Sequence, residues 1–283
     1  MALSVDGKAG ASAALTFWMR RLVRVAPLYW LYTGLKVVIL FIAPTLSAKA
    51  KISVFSIIFS LLFLPSLDAQ GRYWPVLPVG WTLNFEMFFY AALVVSMVMK
   101  WPKIPVIMTV FLLTSLIGFV GDFGALSFYF DSVLLEFIYG YAIYKLGARY
   151  GWRFLNLKTG IAVAAVAVVW LAIQDGHGSL GRGFGWRIPC AVVFVLVLRV
   201  EDIFLQPVLL KLSSLGDSSY SQYLVHTFIV PAVVVLLLKV GAASGWLCVV
   251  SSVLLSVGAG WLSYKYIEMP LIEGAKRRFG LVG

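Results

Sequence analysis

Apolar residues along this chain come in long, nearly unbroken runs. They do not alternate as in a half-buried strand, nor recur every third and fourth position as in a surface helix. The runs lie at roughly Val25–Ala43, Val79–Met99, Ile104–Val120, Leu126–Leu146, Thr159–Ile173, Gly185–Arg199, Tyr220–Val240 and Ser244–Ile267. Most approach the length of about 20 residues that an α-helix needs to cross roughly 30 Å of hydrocarbon. A ninth run, Ile52–Leu64, is too short to cross and reads as a re-entrant or interfacial segment. The pattern predicts an all-α polytopic membrane protein of about eight transmembrane helices plus that short segment. The stretch LPSLDAQGRYWPVLPVG after it is punctuated by Pro, Gly and aromatic residues, and Tyr73, Trp74 and Trp81 suit a membrane–water interface.

Composition agrees with the pattern. Of 283 residues, 61% are hydrophobic and 12% charged, against about a quarter charged in a soluble domain. Mean hydropathy is +0.95. The net charge of +11 would suggest nucleic acid in a soluble protein. Here the cations sit between apolar runs, where they set orientation instead. Arg20, Arg21 and Arg24 precede the first run, Lys100 and Lys103 follow the second, and Lys145, Arg149, Arg153 and Lys158 form the richest loop. Arg199 and Lys211 flank another, and Lys276, Arg277 and Arg278 lie near the C-terminus. If Ile52–Leu64 does not cross, all these clusters fall on one side. The reading is therefore an integral plasma (inner) membrane protein with both termini cytoplasmic and a long outer loop, Pro44–Pro78, that dips back into the bilayer.

Other classes find little support. Cys190 and Cys248 lie in apolar runs without a CxxC or a His/Cys cluster, so neither a disulfide framework nor a metal site is expected. The residues before Phe17 lack the apolar core of a signal peptide and read as a flexible segment, 1–16. No fixed-period repeat and no pair of Gly/Pro-broken helices in matching halves points to a secondary transporter.

Ionisable groups inside such runs are costly and therefore usually paired or functional. They are Glu86 in VGWTLNFEMFFYAALVVSMVM, Asp131 and Glu136 in SFYFDSVLLEFIYGYAIY, Arg187, His226 and Glu268. Glu86 reads either as a structural partner of Arg24 or Arg187 or as a site carboxylate. His226 reads as a core histidine satisfied by one hydrogen bond or as a working group. Asp131 suits helix packing, and Glu268, where a helix meets the headgroups, suits a cap. Arg21 and Arg24, three apart on one helical face, are either orientation anchors or a clamp for phosphate.

Four segments in order carry a resemblance. RRLVRVAPLYW resembles the Arg-x-x-Arg motif and following Pro-x-Tyr of the acyltransferase 3 family of integral-membrane O-acyltransferases. GWTLNFEMFFY is similar to its Trp-Ser/Thr-Leu-x-x-Glu-x-x-Phe-Tyr motif, in the variant of the exopolysaccharide-production branch. LGDSSYSQYLVH resembles its Gly-x-x-Ser-Tyr-x-x-Tyr-Leu-x-His motif, and YKYIEMPL its Tyr-x-x-Glu-x-Pro. On this resemblance residues 17–271 form an acyltransferase-like transmembrane domain, followed by a basic cytoplasmic tail, 272–283.

The resemblance implies transfer of an acyl group, often acetyl, from acyl-CoA to a sugar hydroxyl of a polysaccharide or lipid-linked glycan. No cofactor is held; acyl-CoA is a co-substrate, and membrane lipid and glycan-assembly proteins are further partners. Arg21 and Arg24 match the donor-binding residues, Glu86 the intramembrane acid tied to activity, and His226 the late motif; Glu86 and His226 are thus the candidate catalytic residues. Family members normally begin with two further spans that carry a basic residue and the histidine regarded as the catalytic base. No histidine precedes His177 in this chain, so the resemblance implies an acyltransferase impaired as written. A transporter, or a non-catalytic partner in glycan assembly, are the alternatives.

Overall fold

The computed structural model describes residues 10–43, 53–68, 71–100, 103–121, 123–152, 156–173, 185–200 and 213–281. Among them there is no strand, only one isolated bridge between Leu67 and Tyr73. The helices are α1 (Ala11–Ile42), α2 (Val54–Leu61), α3 (Gly80–Val98), α4 (Lys103–Gly118), α5 (Leu134–Tyr150), α6 (Leu157–Ile173), α7 (Arg187–Arg199), α8 (Ser213–Asp217), α9 (Ser219–Lys239), α10 (Gly245–Ser263) and α11 (Met269–Arg278). A 3₁₀ helix, Gly124–Phe130, precedes α5, and a π-helical turn, Tyr264–Glu268, joins α10 to α11.

Every expected run is helical, but not every one is of crossing length. Among the described residues five stretches are long and apolar enough to cross a membrane: Ala11–Ile42, Gly80–Val98, Leu126–Tyr150, Ser219–Lys239 and Gly245–Arg278. α4, α6 and α7 are shorter, at 16, 17 and 13 residues. α2 has eight residues, spans about 12 Å at 1.5 Å per residue, and begins at a Ser53–Ser56 capping box.

Two boundaries differ from expectation. α1 starts at Ala11, so residues 11–16 of the segment expected to be flexible, 1–16, are helical. Its Ala-Ser-Ala-Ala-Leu start favours helix, and the Gly10 amide donates to the Met97 carbonyl at 3.0 Å. The C-terminal segment is likewise helical as far as Arg278, with Pro270 in the first turn of α11, directly after the π turn.

The described residues divide into two compact units, one built from Ala9–Val98 and Lys211–Gly283, the other including Met99–Leu210. In the first, α1 and α3 are antiparallel. Gly10 meets Met97, Phe17 packs edge-on to Tyr90 at 5.9 Å, and Tyr29 lies against Gly80, where a Cβ would come within 2.6 Å of its hydroxyl. α9 runs parallel to α1: the Tyr220 hydroxyl donates to the Val25 carbonyl at 2.7 Å, and Phe228 packs on Tyr32 at 5.7 Å. α10 returns along α9, presenting buried Ser252, Ser256, Gly260 and Ser263, a stripe of small residues that lets helices approach closely. α2 folds back along α1: the Trp30 indole donates to the Leu61 carbonyl at 2.8 Å, and Phe63 stacks on Tyr29 at 4.9 Å.

In the second unit α5, α6 and α7 pack together, with α4 against α5 and the 3₁₀ helix. Buried Arg187 of α7 donates to Glu136 at 2.7 Å and to Ser132 at 2.9 Å. Arg187, considered from the sequence as a partner of Glu86, is thus engaged by Glu136. Asp131 holds the start of α5, accepting from the Val133 amide at 2.8 Å.

Candidate active site

The site residues named from the sequence all lie in the first unit. Arg21 and Arg24 stand on one face of α1, just before Pro27, which has no N–H to donate to the preceding turn. Glu86 stands inside α3, half-buried. The antiparallel register of α1 and α3 sets Glu86 level with the Arg21–Arg24 turn, since Phe17 meets Tyr90 and Tyr29 meets Gly80. The link between them is Tyr90. Its hydroxyl makes a short hydrogen bond to Glu86 Oε1, and its ring lies under the Arg21 guanidinium, 5.4 Å from the ring centroid. Arg21 is also 5.4 Å from the Phe17 ring. The charges of both Arg21 and Arg24 act on Tyr90. Arg21, Arg24 and Glu86 are thus gathered around one buried tyrosine, and among the described residues no salt bridge reaches Glu86.

His226 is not part of that group. Its Nδ1 lies 3.2 Å from the Gln222 carbonyl one turn earlier in α9, and its ring is 5.9 Å from that of Tyr223. The Tyr223 hydroxyl donates to the Val79 carbonyl at 2.5 Å and shares a 2.6 Å hydrogen bond with Thr82. Tyr223 therefore marks the start of α3. His226 lies a further turn along α9, away from Glu86, so the two are roughly 10 Å apart along the helix axes at 1.5 Å per residue.

A second acid joins the site. Glu268, read from the sequence as a cap at the headgroups, is instead buried, 5% exposed. The Ser221 hydroxyl donates to Glu268 Oε2 at 2.6 Å. Ser263 donates to Ser221 at 3.2 Å, and Tyr32 shares a 2.8 Å hydrogen bond with Ser263. This chain ties α1, α9 and the end of α10 together. The π turn makes it possible: a wider turn rotates the residues after it, so Glu268 points into the bundle and not along the expected α-helical face. Arg24 acts on Glu268, and both Glu86 and Glu268 act on Tyr220. Two carboxylates and two guanidinium groups therefore share one region of the unit.

Tyr90, Tyr220, Ser221 and Glu268 were not assigned to the site from the sequence. Tyr90 carried a readable signal, four residues after Glu86 and so on the same helical face. Ser221 and Glu268 sit in the two late motifs, but their pairing depends on how α9 meets the π turn.

The arrangement can bind anions and orient a hydroxyl. Two arginines three residues apart suit a phosphate-bearing ligand. A carboxylate fixed by one phenol keeps further lone pairs free for another donor.

Comparison with known proteins bears on which chemistry this serves. The acyltransferase domain family matches residues 9–265. That range begins at the start of α1, earlier than the domain boundary read from the sequence. The chain is 33% identical over 266 residues to the exopolysaccharide production protein ExoZ of Rhizobium meliloti (strain 1021), covering 90% of this chain and 80% of that protein. No solved structure matches.

Proposed function

Since the chain belongs to the acyltransferase domain family and is an acyltransferase enzyme, we propose that it moves an acetyl group from acetyl-CoA to a sugar hydroxyl of an exopolysaccharide or lipid-linked glycan. The likeness to an exopolysaccharide production protein supports the acceptor class. The observation that carries the reading is the gathering of Arg21, Arg24 and Glu86 around Tyr90.

In the reaction the sugar oxygen attacks the thioester carbonyl, the C–S bond breaks, and the hydroxyl proton leaves with the CoA thiol. Arg21 and Arg24 grip the CoA phosphates. Glu86, held by Tyr90, accepts a hydrogen bond from the acceptor hydroxyl and orients it for attack. His226 faces a different turn, so the hydroxyl is oriented without it. Glu268, fixed by Ser221, adds a second buried carboxylate near Arg24.

The same reading sets the orientation. Acyl-CoA is met at the cytoplasmic face of the inner membrane, so the Arg21 end of α1 lies there, with both termini on that side. Glycan-assembly proteins are partners of the same reaction.

The experiment uses inverted membrane vesicles containing the chain, labelled acetyl-CoA and purified exopolysaccharide, with CoA binding measured separately. Arg21→Gln with Arg24→Gln should weaken CoA binding by about 10- to 100-fold, the loss of charge-assisted hydrogen bonds. Glu86→Gln should spare CoA binding and reduce transfer by about 100-fold, as for loss of a group that acts on the reacting hydroxyl. His226→Ala should leave CoA binding unchanged. Undiminished CoA binding in the double arginine variant, or full transfer by Glu86→Gln, would sink the reading.

A further inference from the structure

We infer that the second unit carries a binding site for one anionic membrane phospholipid, with an acyl chain between α5, α6 and α7 and the headgroup phosphate at their shared basic end. A cavity of about 390 Å³ opens between these helices, lined almost wholly by apolar surface, including Ile143 of α5, Gly160 and Val163 of α6, and Ile188, Ala191 and Val195 of α7. Gly160 and Ala191 have little or no side chain, so the slot is a gap left by small residues between packed helices.

The register of the helices gives the slot a direction. The Trp170 indole near the end of α6 donates to the Gly185 carbonyl before α7 at 2.9 Å, so α6 and α7 are antiparallel. Arg187 at the start of α7 reaches Glu136 and Ser132 near the start of α5, so α5 and α7 run the same way. The end of α5, the start of α6 and the end of α7 therefore coincide. Lys145 and Arg149 lie in the last turns of α5, Lys158 in the first turn of α6, and Arg199 closes α7. Lys145, Arg149 and Lys158 are exposed. Among the described residues the cation at the opposite end is Arg187, which is buried and already bonded to Glu136.

Charge and length both identify the occupant. An apolar slot with the exposed described cations gathered at one end matches a molecule with one apolar tail direction and an anionic head. The lining residues Ile188 to Val195 span about 10 Å of α7, and Arg199 lies about 6 Å further along at 1.5 Å per residue. Slot and basic end together cover close to half of the roughly 30 Å hydrocarbon core, the depth of one leaflet. Basic pockets between transmembrane helices recognise anionic headgroups by the same combination. A zwitterionic lipid fits the slot but offers the cations no net charge.

The test uses the full chain in mild detergent, offered equal phosphatidylglycerol and phosphatidylcholine, with retained lipids counted by native mass spectrometry. The chain should retain one phosphatidylglycerol in preference to phosphatidylcholine by about tenfold or more, as expected for several cations near one headgroup. Lys145→Gln, Arg149→Gln and Lys158→Gln together should bring the ratio close to one while the protein still elutes as the parent does. Ala191→Trp, which fills the slot, should remove the retained copy. Equal retention of the two lipids by the parent chain would overturn the site, as would a preference that survives the triple substitution. Displacement of the lipid by inorganic phosphate alone would overturn the role of the slot. Displacement by dodecanoyl-CoA in the parent but not in Ala191→Trp would reassign the slot to an acyl donor and overturn the lipid assignment. All these readouts are independent of acyl transfer.

Discussion

Tyr90 stands one helical turn after Glu86 and does two jobs at once: its hydroxyl fixes the carboxylate and its ring seats the Arg21 guanidinium. The two jobs separate by substitution. Tyr90→Phe keeps the ring, its edge contact with Phe17 and the seat for Arg21, but leaves Glu86 without its donor. A hydrogen bond to a charged group is worth about 1.5–3 kcal/mol. Transfer should therefore fall by about 10- to 100-fold in kcat, with the KM for acyl-CoA unchanged. Tyr90→Leu should additionally raise that KM, because the guanidinium loses its aromatic support, worth about 0.5–1 kcal/mol or more when desolvated. Equal kinetics for the two variants would show that the ring does not position Arg21. At this scale Glu86, Arg21 and Arg24 were legible because charged groups stand out in apolar sequence. Tyr90 was legible too, four residues after Glu86 and at the end of GWTLNFEMFFY, but one tyrosine among Phe85, Phe88 and Phe89 was not singled out.

The elements carry the second lesson. Helical runs were legible because hydrophobicity alone marks them, and the short Ile52–Leu64 run was legible as a short element, the eight-residue α2. The π turn was not. Nothing in YKYIE separates it from α-helix, yet its extra width decides where Glu268 points. What holds that turn in place is the close approach of α10 to α9. A Cβ on Gly260 would lie 2.7 Å from the Gln222 Cα, against backbone that cannot yield as a flexible side chain does. Gly260→Val should push the two helices apart, break the Ser263–Ser221–Glu268 chain, and destabilise the protein by about 1–3 kcal/mol, the usual cost of overpacking. A thermal melt in detergent reads this directly. Gly258→Ala is the control, since a Cβ there meets nothing within 4 Å. A melt for Gly260→Val that matches Gly258→Ala would mean the small-residue stripe does not set the helix spacing.

At the scale of the molecule, the chain organises its charge by folding. In the first unit the start of α1 meets the end of α3, and α10 returns along α9 so that Lys276, Arg277 and Arg278 fall at the Arg21 end. In the second unit Lys145, Arg149, Lys158 and Arg199 share one end. The split into units was not legible, because it joins residues before 98 to residues after 211 through contacts far apart in sequence. The parity of crossings was read from loop charge, and it rests on α2. Eight helical residues reach about 12 Å, too little to cross, and α2 ends against Trp30 of α1, about 18 Å back from Ile42 along that helix at 1.5 Å per residue. A segment folded back in this way returns the chain to the side from which it entered. The proposed orientation then requires Leu67, exposed at 52%, to face the periplasm while both termini face the cytoplasm. In a background with Cys190→Ser and Cys248→Ser, Leu67→Cys in intact cells should react with a membrane-impermeant maleimide. Green fluorescent protein fused after Gly283 should fluoresce, and alkaline phosphatase fused there should be inactive. Green fluorescent protein fused before Met1 that stays dark, with Leu67→Cys still labelled in intact cells and the C-terminal fusion still cytoplasmic, would mean that α2 crosses. The Arg21 end of α1 would then face away from the cytoplasm, and its arginines could not meet acyl-CoA there.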